Sequence, residues 1–176
     1  MGDVAPLTAA QHRALDRLRS VNLLDDVYLA GGVGIAWHLG HRRSMDLDLF
    51  SRTPKMDLDA IRMVAVRELS ATVVYQTDVA LSLRLQRAAI DVVRYPYRRV
   101  APLVEGPDGS QVASLRDLAV MKAAAIARRG IRRDFWDLHA ILTTTRLTLA
   151  GVLRDYLRKC ASMQSPRPTP TTCCGR

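Results

Sequence analysis

The hydrophobic period of this chain changes once, near residue 112, and that change limits the folds it can adopt. Before it, short runs that alternate apolar and polar residues are interspersed with helical patterns; after it, apolar residues recur only at helical spacing. A period of two is typical of half-buried strands, and a period near 3.6 of amphipathic helices. We therefore predict an α/β (α+β) fold with a small mixed-sheet core over residues 1–112 and a helical C-terminal bundle over 113–162.

The predicted helices and strands follow from this pattern and from the glycine, proline and capping residues that begin or end them. A tail over 163–176, rich in Pro, Ser and Thr, has the composition of disorder. Thr8 and Ser114 are predicted helix caps, and Gly40 and Gly130 predicted helix ends. Strands are predicted at 27–30, 45–50, 72–75, 79–86 and 88–95, helices after Thr8 and at 33–39, 58–70, 115–129, 132–144 and about 148–160, and a loop at 95–110.

The charge balance is strongly basic for a chain of ordinary globular composition. Lys and Arg total 26 against 17 acidic residues, which gives a net charge of +9, and the pI is near 10.2. Such an excess favours polyanionic partners, most simply nucleic acid. It does not prove one, because a basic protein need not bind anything through its charge.

Nothing in the sequence predicts a membrane or secreted protein. No apolar run approaches the roughly 20 residues of a spanning helix, and the first 20 residues lack the pattern of a secretory signal. The three cysteines, Cys160 and the adjacent Cys173 and Cys174, have neither metal-ligand spacing nor a persuasive disulfide pattern. We predict a reduced, cytoplasmic protein.

The stretch GHRRSMDLDLFS, residues 40–51, places two aspartates within an apolar run. In a strand, Asp46 and Asp48 would share one face, about 6.6 Å apart along the chain, while Met45, Leu47 and Leu49 fill the other. An amphipathic strand with an acidic solvent face explains the same residues without any function, so both interpretations stand at this point.

The preceding segment adds an anion-binding feature. A predicted strand runs into Gly31–Gly32 and then a helix, and a helix start exposes free N–H groups and a positive dipole end that favour phosphate. Glycines let a phosphate approach the backbone because they lack a Cβ, although glycine pairs at such turns are also common without a ligand.

A third carboxylate, Asp91, lies in the apolar run IDVVRY. Alone it would be an exposed acid on an edge strand, because burying it without a partner is costly. If all three carboxylates shared a sheet face, they would repel one another unless a cation lay among them. Mg²⁺ takes carboxylate oxygens and substrate phosphates, and a pair of such ions can assist phosphoryl transfer.

Two segments carry a family resemblance. LAGGVGIAWHLGHRRSMDLDLF, residues 29–50, resembles the first motif of the AbiEii/AbiGii-type nucleotidyltransferase toxins, members of the DNA polymerase β-like nucleotidyltransferase superfamily. DLAVMKAAAIARRGIRRDFWDLHAIL, residues 117–142, is similar to the later motifs, a helical Lys followed by Arg-Asp-x-x-Asp-Leu. The resemblance covers about residues 25–145, so it implies a nucleotidyltransferase core.

The resemblance implies roles for individual residues. Gly31 and Gly32 would hold the triphosphate with Ser44 near the phosphates, and Asp46 and Asp48 would bind Mg²⁺ or Mn²⁺. Asp91 would be the third carboxylate and metal ligand, and the base for an attacking hydroxyl. Lys122 would neutralise triphosphate charge; without the family it reads equally as a solvated lysine.

Other residues are left between two interpretations. Asp134 and Asp137 share a helix face. They would orient Lys122 or basic residues such as Arg133, or form ordinary helix ion pairs; which of the two is the functional acid stays open. Arg42 and Arg43 would contact RNA or phosphate, or face water. Trp136 and Leu138 are expected to pack between helices, and His38, His41 and His139 have no metal spacing.

The resulting expectation is a transferase that moves a nucleoside monophosphate from an NTP to an acceptor. Within the family the acceptor would be the tRNA 3′ end, and the protein would be the toxin of a toxin–antitoxin system with a cognate antitoxin protein as partner. Modification of a protein or small molecule is one alternative. A non-catalytic module that binds RNA or antitoxin is another, although the presence of Asp46, Asp48 and Lys122 together favours turnover.

Overall fold

The computed structural model describes residues 7–161, which divide into two compact units. The first unit contains the chain up to Pro96 and returns for Leu103–Ala113, and the second contains Tyr97–Pro102 and the chain from Ser114. The predicted tail at 163–176 lies outside the described residues.

The first unit is an α/β layer, as predicted. Within the described residues it has one seven-stranded mixed sheet of order β3-β4-β5-β2-β1-β7-β6. β2 pairs in parallel with β5 and β1 with β7, and the other neighbours are antiparallel. Its elements are α1 (Ala9–Ser20), β1 (Val27–Leu29), α2 (Gly31–Leu39), β2 (Asp46–Ser51), α3 (Leu58–Leu69), β3 (Thr72–Gln76), β4 (Ala80–Leu85), β5 (Ala88–Val93), β6 (Val104–Glu105), a 3₁₀ turn (Pro107–Gly109) and β7 (Gln111–Val112).

The core of this unit follows from strand alternation. Leu47 and Leu49 of β2 are buried, with alternate residues of β4 and β5 and the apolar sides of α1 and α3. Residues two apart along a strand share a face, so the intervening residues, which include the three predicted carboxylates, line the opposite face. Met45 was expected on the buried side and is 72% exposed, because β2 begins one residue later, at Asp46.

Local signals explain the helix ends. Thr8 and Gln11 form a reciprocal capping box: Thr8 Oγ1 accepts from the Gln11 N–H at 3.2 Å, and Gln11 Oε1 accepts from the Thr8 N–H at 2.8 Å. α2 ends at Gly40, in the left-handed conformation (φ 58°), as predicted. The predicted loop at 95–110 was partly wrong, because it contains β6 and the 3₁₀ turn; two-residue strands carry no detectable period.

The second unit contains three helices within the described residues, α4 (Leu115–Arg129), α5 (Arg132–Thr144) and α6 (Leu149–Ala161). Ser114 caps α4 and Gly130 ends it, as predicted. The face that α6 buries carries Asp155 and Lys159, whereas its large exposed side chains are leucines at i, i+4 and i+8, namely Leu149, Leu153 and Leu157. α6 therefore packs through ionic contacts as well as through the buried apolar Val152.

Asp117 is the centre of one such contact. Its carboxylate accepts from Lys159 Nζ at 3.0 Å and from the backbone N–H groups of Val100 and Ala101, both at 2.9 Å. The adjacent Arg116 donates two hydrogen bonds, of 2.6 and 3.0 Å, to the carboxylate of Asp155, which lies one turn before Lys159 on α6. Hydrogen bonds from Arg116 hold the pKa of Asp155 below its ordinary value. Asp117 thus attaches residues 97–102 to the helices.

We expect Lys159→Ala to lower the free energy of unfolding by about 3–5 kcal/mol, because it leaves the buried Asp117 carboxylate without its cation. The matched control is Arg158→Ala, whose side chain is 72% exposed and should change stability by no more than about 0.5 kcal/mol. Urea unfolding followed by circular dichroism measures both. Equal effects of the two substitutions would contradict a buried ion pair.

Candidate functional site

The turn between β1 and α2 depends on Gly31. This residue begins the helix with φ +55°, a conformation that side chains with a Cβ rarely adopt. A Cβ at this position would also overlap the carboxylate of Asp48. Asp48 Oδ2 accepts a hydrogen bond from the Gly32 N–H at 3.1 Å. The carboxylate therefore lies at the N-terminus of α2, where the helix dipole stabilises negative charge.

Polar groups of the following loop pack against Gly32. A Cβ built there would lie 2.8 Å from Arg42 Nη2 and 2.9 Å from Ser44 Oγ. Arg42 Nη1 donates to the carbonyl of Arg43 at 2.9 Å, and Gln11 Nε2 of α1 donates to the buried carbonyl of Ser44 at 3.0 Å. The guanidinium and the hydroxyl are thus held beside the glycine turn, whereas the Arg43 side chain is exposed.

The strand register brings the carboxylates onto one face. Asp48 of β2 is the direct partner of Asp91 of β5, and Asp46 is the partner of Ala89. Neighbouring strands lie about 4.8 Å apart, and register partners point to the same side. Asp46, two residues before Asp48, shares that side. The three predicted carboxylates therefore line one sheet face.

Asp91 is not an edge residue. Its strand lies between β4 and β2 in the interior of the sheet, and its partner on β4 is Ser82, which is buried. Asp46 is exposed, while Asp48 and Asp91 are half-buried. Ser82 was not recognised in the sequence, because only the antiparallel register places it beside Asp91.

The carboxylate face has the donor chemistry of a magnesium site without a complete protein cage. Within residues 7–161, no three His, Cys, Asp or Glu side chains are close enough together to hold a metal ion by themselves. Mg²⁺ normally binds through one or two carboxylates and completes its shell with water and substrate phosphates. Asp48 facing Asp91 across one strand spacing fits that mode.

Lys122 forms a cluster of its own in the second unit. Its ammonium donates to Asp134 Oδ1 at 2.9 Å and lies 2.8 Å from Asp137 Oδ2. Both carboxylates are fully buried, and Arg129 adds two hydrogen bonds to Asp134, of 2.8 and 3.0 Å. Burial opposes ionisation of Asp134, but the hydrogen bonds from Arg129 and Lys122 outweigh it and hold the pKa of Asp134 below its ordinary value.

This cluster changes the interpretation of three predicted residues. Lys122 is buried rather than solvated, and Asp134 and Asp137 both bind it instead of forming exposed helix ion pairs. Arg129 was missed in the sequence, since Gly130 ends its helix before Asp134 and the pair crosses a helix boundary. The role of Lys122 toward a triphosphate stays a prediction.

The expected packing roles of α5 were half correct. Leu138 is buried, but Trp136 is 56% exposed, so the expectation that it packs between helices was wrong. His38 of α2 donates to the carbonyl of Ala113 at 2.9 Å, and burial lowers the pKa of this histidine despite that bond. His38 therefore serves the first unit as a structural contact.

The fold, with paired carboxylates beside a glycine turn, is that of a nucleotidyltransferase. The family model described as Nucleotidyl transferase AbiEii toxin, Type IV TA system, matches residues 13–171. The chain belongs to this AbiEii family of nucleotidyltransferase toxins. The uncharacterized protein aq_aa25 of Aquifex aeolicus (strain VF5) is similar, with 34% identity over 139 residues. The match covers 75% of this chain and 65% of that relative, so the chain spans less than two thirds of its length.

Solved structures support the same fold at low identity. The solution structure of the antibiotic-resistance factor ANT(2″)-Ia has a TM-score of 0.63 and 13% identity, covering 90% of this chain and 96% of that one. JHP933 from Helicobacter pylori has a TM-score of 0.54 and 20% identity, covering 89% and 77%. No helix among residues 7–161 combines the length and the apolar composition that crossing a membrane requires.

Gly31→Ala tests the glycine turn. We expect the added Cβ to displace the Asp48 carboxylate and to strain a backbone of positive φ, at a cost of about 1–3 kcal/mol in stability. Gly40→Ala is the matched control, because it has the same positive φ and nothing within 4 Å of an added Cβ. Thermal unfolding should therefore show a larger loss of stability for Gly31→Ala than for Gly40→Ala. Equal losses of stability would exclude a steric conflict between the added Cβ and Asp48.

Lys122→Ala tests the buried cluster. We expect a loss of about 3–5 kcal/mol in unfolding free energy at neutral pH, because Asp134 and Asp137 remain buried with less compensation. The pKa of Asp134 is lowered on folding, so its contribution is present above the ordinary aspartate pKa of about 3.9 and is lost as pH falls through the folded value.

The difference in unfolding free energy between the wild type and Lys122→Ala should therefore become smaller below about pH 4. Arg128→Ala, an exposed residue of the same helix, is the control and should unfold like the wild type throughout. If the difference in stability did not depend on pH, an ionic contribution of Lys122 to stability would be contradicted. Nucleotide affinity, measured where the variant is still folded, separates a triphosphate role of Lys122 from its structural role.

Proposed function

We propose that this protein transfers a nucleoside monophosphate from an NTP to an acceptor hydroxyl, releasing pyrophosphate, and that the acceptor is the 3′ end of a tRNA. The observation that carries the proposal is the register of β2 and β5, with Asp48 opposite Asp91 beside the start of α2. Membership of the AbiEii family supports the reaction class.

The chemistry of the chain's own residues supports this reaction. The acceptor oxygen attacks the α-phosphorus while the bond from that phosphorus to the bridging oxygen breaks. Asp91 accepts the proton of the attacking hydroxyl, a role that requires a carboxylate within hydrogen-bond reach. Asp48, with Asp91 or with Asp46, would hold Mg²⁺ or Mn²⁺ together with substrate phosphates, and the ion would neutralise phosphate charge when bound.

The glycine turn supports phosphate binding indirectly. The Gly32 N–H donates to Asp48, so we assign this N–H to positioning the carboxylate. Ser44 Oγ and the Arg42 guanidinium, both packed against Gly32, are then the groups that contact the phosphates. The exposed Arg43 is proposed to contact RNA, and Lys122 to contribute to nucleotide binding as the family motif implies.

The biological role rests on the family description and on charge. The family description, Type IV TA system, supports a toxin with an antitoxin protein as its counterpart, and we propose that it acts in the cytoplasm. The net charge of +9 favours an RNA acceptor. A small-molecule acceptor is the second candidate, because ANT(2″)-Ia was solved in complex with adenylyl-2″-tobramycin.

The test is transfer of label from each of the four NTPs, labelled on the α-phosphate, to total tRNA, to total cell protein or to tobramycin, with and without Mg²⁺. We expect metal-dependent labelling of tRNA. Asp91→Asn should lower the rate by roughly 10²–10⁴-fold as a lost general base, and Asp46→Asn and Asp48→Asn should abolish transfer.

The control is Asp78→Asn, an exposed carboxylate in the β3–β4 loop, which should transfer at the wild-type rate. Without metal, Asp48→Asn should be as stable as the wild type or slightly more so, since it relieves like-charge repulsion; this shows that lost activity is not lost folding. Full transfer by the Asp46→Asn/Asp48→Asn double variant would overturn the assignment, and labelling of tobramycin alone would move it to a small molecule.

A further inference from the structure

The row of side chains that begins at Asp48 continues beyond Asp91. Asp91 is the register partner of Ser82 on β4, and Ser82 is the partner of Tyr75 on β3. Register partners point to the same side of a sheet. Asp48, Asp91, Ser82 and Tyr75 therefore form one line across four strands on the carboxylate face.

A second line runs beside the first. Asp46 is the partner of Ala89, Ala89 of Arg84, and Arg84 of Thr72. Arg84 follows Ser82 by two residues on β4, so it lies on the same face, about 6.8 Å along the strand. The outer part of the carboxylate face thus combines a guanidinium with a phenol ring.

Both side chains are accessible, whereas the opposite side of β4 is core. Tyr75 is 51% exposed and Arg84 is exposed, while Leu81, Leu83 and Leu85 of β4 are buried. The register shift between Val73 and Tyr75 adds one residue to β3, and this extra residue is what places Tyr75, rather than Val74, beside Ser82. A bulge commonly re-aims a side chain next to a functional site.

An aromatic ring and an arginine on an open sheet face have a preferred ligand. Unpaired bases stack on aromatic side chains and on guanidinium planes, and arginine also pairs with phosphate. Tyr75 lies two strand spacings, about 10 Å, from Asp91. A metal ion needs oxygen ligands instead, and a purely apolar ligand would offer the guanidinium no hydrogen-bond acceptor.

We propose that Tyr75 and Arg84 bind an unpaired nucleotide of the acceptor RNA, next to the nucleotide whose hydroxyl reacts, with the base on the Tyr75 ring and a phosphate on Arg84. This inference rests on the proposed function for the identity of the acceptor. It adds a specificity site to the carboxylate face: acceptors with a stacked, single-stranded end are selected over duplex ends.

The experiment measures RNA binding by the full-length protein without NTP, so that catalysis does not contribute. The probe is a fluorescent single-stranded RNA with the 3′-terminal sequence of tRNA, titrated at several salt concentrations. Tyr75→Ala should weaken binding roughly 5- to 150-fold, the range for loss of one base–aromatic stack. Tyr75→Phe, which keeps the ring, should bind within about 2-fold of the wild type.

Arg84→Ala should reduce the slope of log affinity against log salt by about 0.7, which corresponds to one phosphate contact. The matched control is Arg67→Ala, an exposed arginine of α3 that makes the same change in net charge and should leave the slope unchanged. Binding of a fluorescent NTP analogue should be unaffected in all four variants, which also shows that they are folded.

The outcomes separate this inference from the proposed function. If RNA affinity and the KM for tRNA are unchanged in Tyr75→Ala and Arg84→Ala, the inference is wrong even though transfer to tRNA proceeds. If the wild type transfers to no RNA but its RNA affinity falls in these variants, the subsite stands and the proposed reaction fails. If the variants change only the oligomeric state in light scattering, this face is a protein interface and the inference is overturned.

Discussion

The parallel pairing of β2 with β5 decides which chemistry this sheet can support. Its register places Asp48 opposite Asp91, and a slip of one residue would turn the whole of β2 over and bring Asp46 and Asp48 into the core. Burial of Leu47 and Leu49 excludes that slip, because the apolar set would then face solvent. The hydrophobic effect thus holds the aspartate carboxylates together on the other face despite their mutual repulsion. The hydrogen bond from the Gly32 N–H to Asp48 partly compensates this repulsion.

Local sequence signals predicted most helices and strands here because each is decided within a few residues. The Thr8 cap, the Gly40 and Gly130 ends and the alternation in β2 need no knowledge of distant contacts. The neighbours of Asp91 were different: β5 pairs with β2 across about forty residues of chain, and no local pattern specifies that register. Tyr75 was missed for the same reason, with a bulge added, and the two-residue strands β6 and β7 have too few residues to show a period.

The helical unit shows a second limit of pattern reasoning. Hydrophobic periodicity assumes that the apolar side of a helix is its buried side, and α6 departs from this by burying Asp155 and Lys159 while its leucines at 149, 153 and 157 are exposed. Lys122 follows the same rule of ionic burial with Asp134 and Asp137. A buried ion pair is weak evidence of high stability but can define a unique arrangement of helices. Which charges pair depends on how the helices pack, and the spacing of charged residues along α4 alone does not predict this.

The crossing of residues 97–102 into the helical unit has a consequence for dividing the protein into pieces. The Asp117 carboxylate takes two backbone N–H donors from this short segment, yet the chain returns to the sheet for β6 and β7 before α4 begins. No single cut of the chain separates the two units. A fragment that starts at Ser114 lacks residues 97–102, and a fragment that ends at Ala113 contains them without the Asp117 carboxylate that they bind. The coding sequences of the two units are therefore interleaved. Recombination that exchanges one helical unit for another must also exchange the six residues 97–102, which lie in sequence between two parts of the sheet unit.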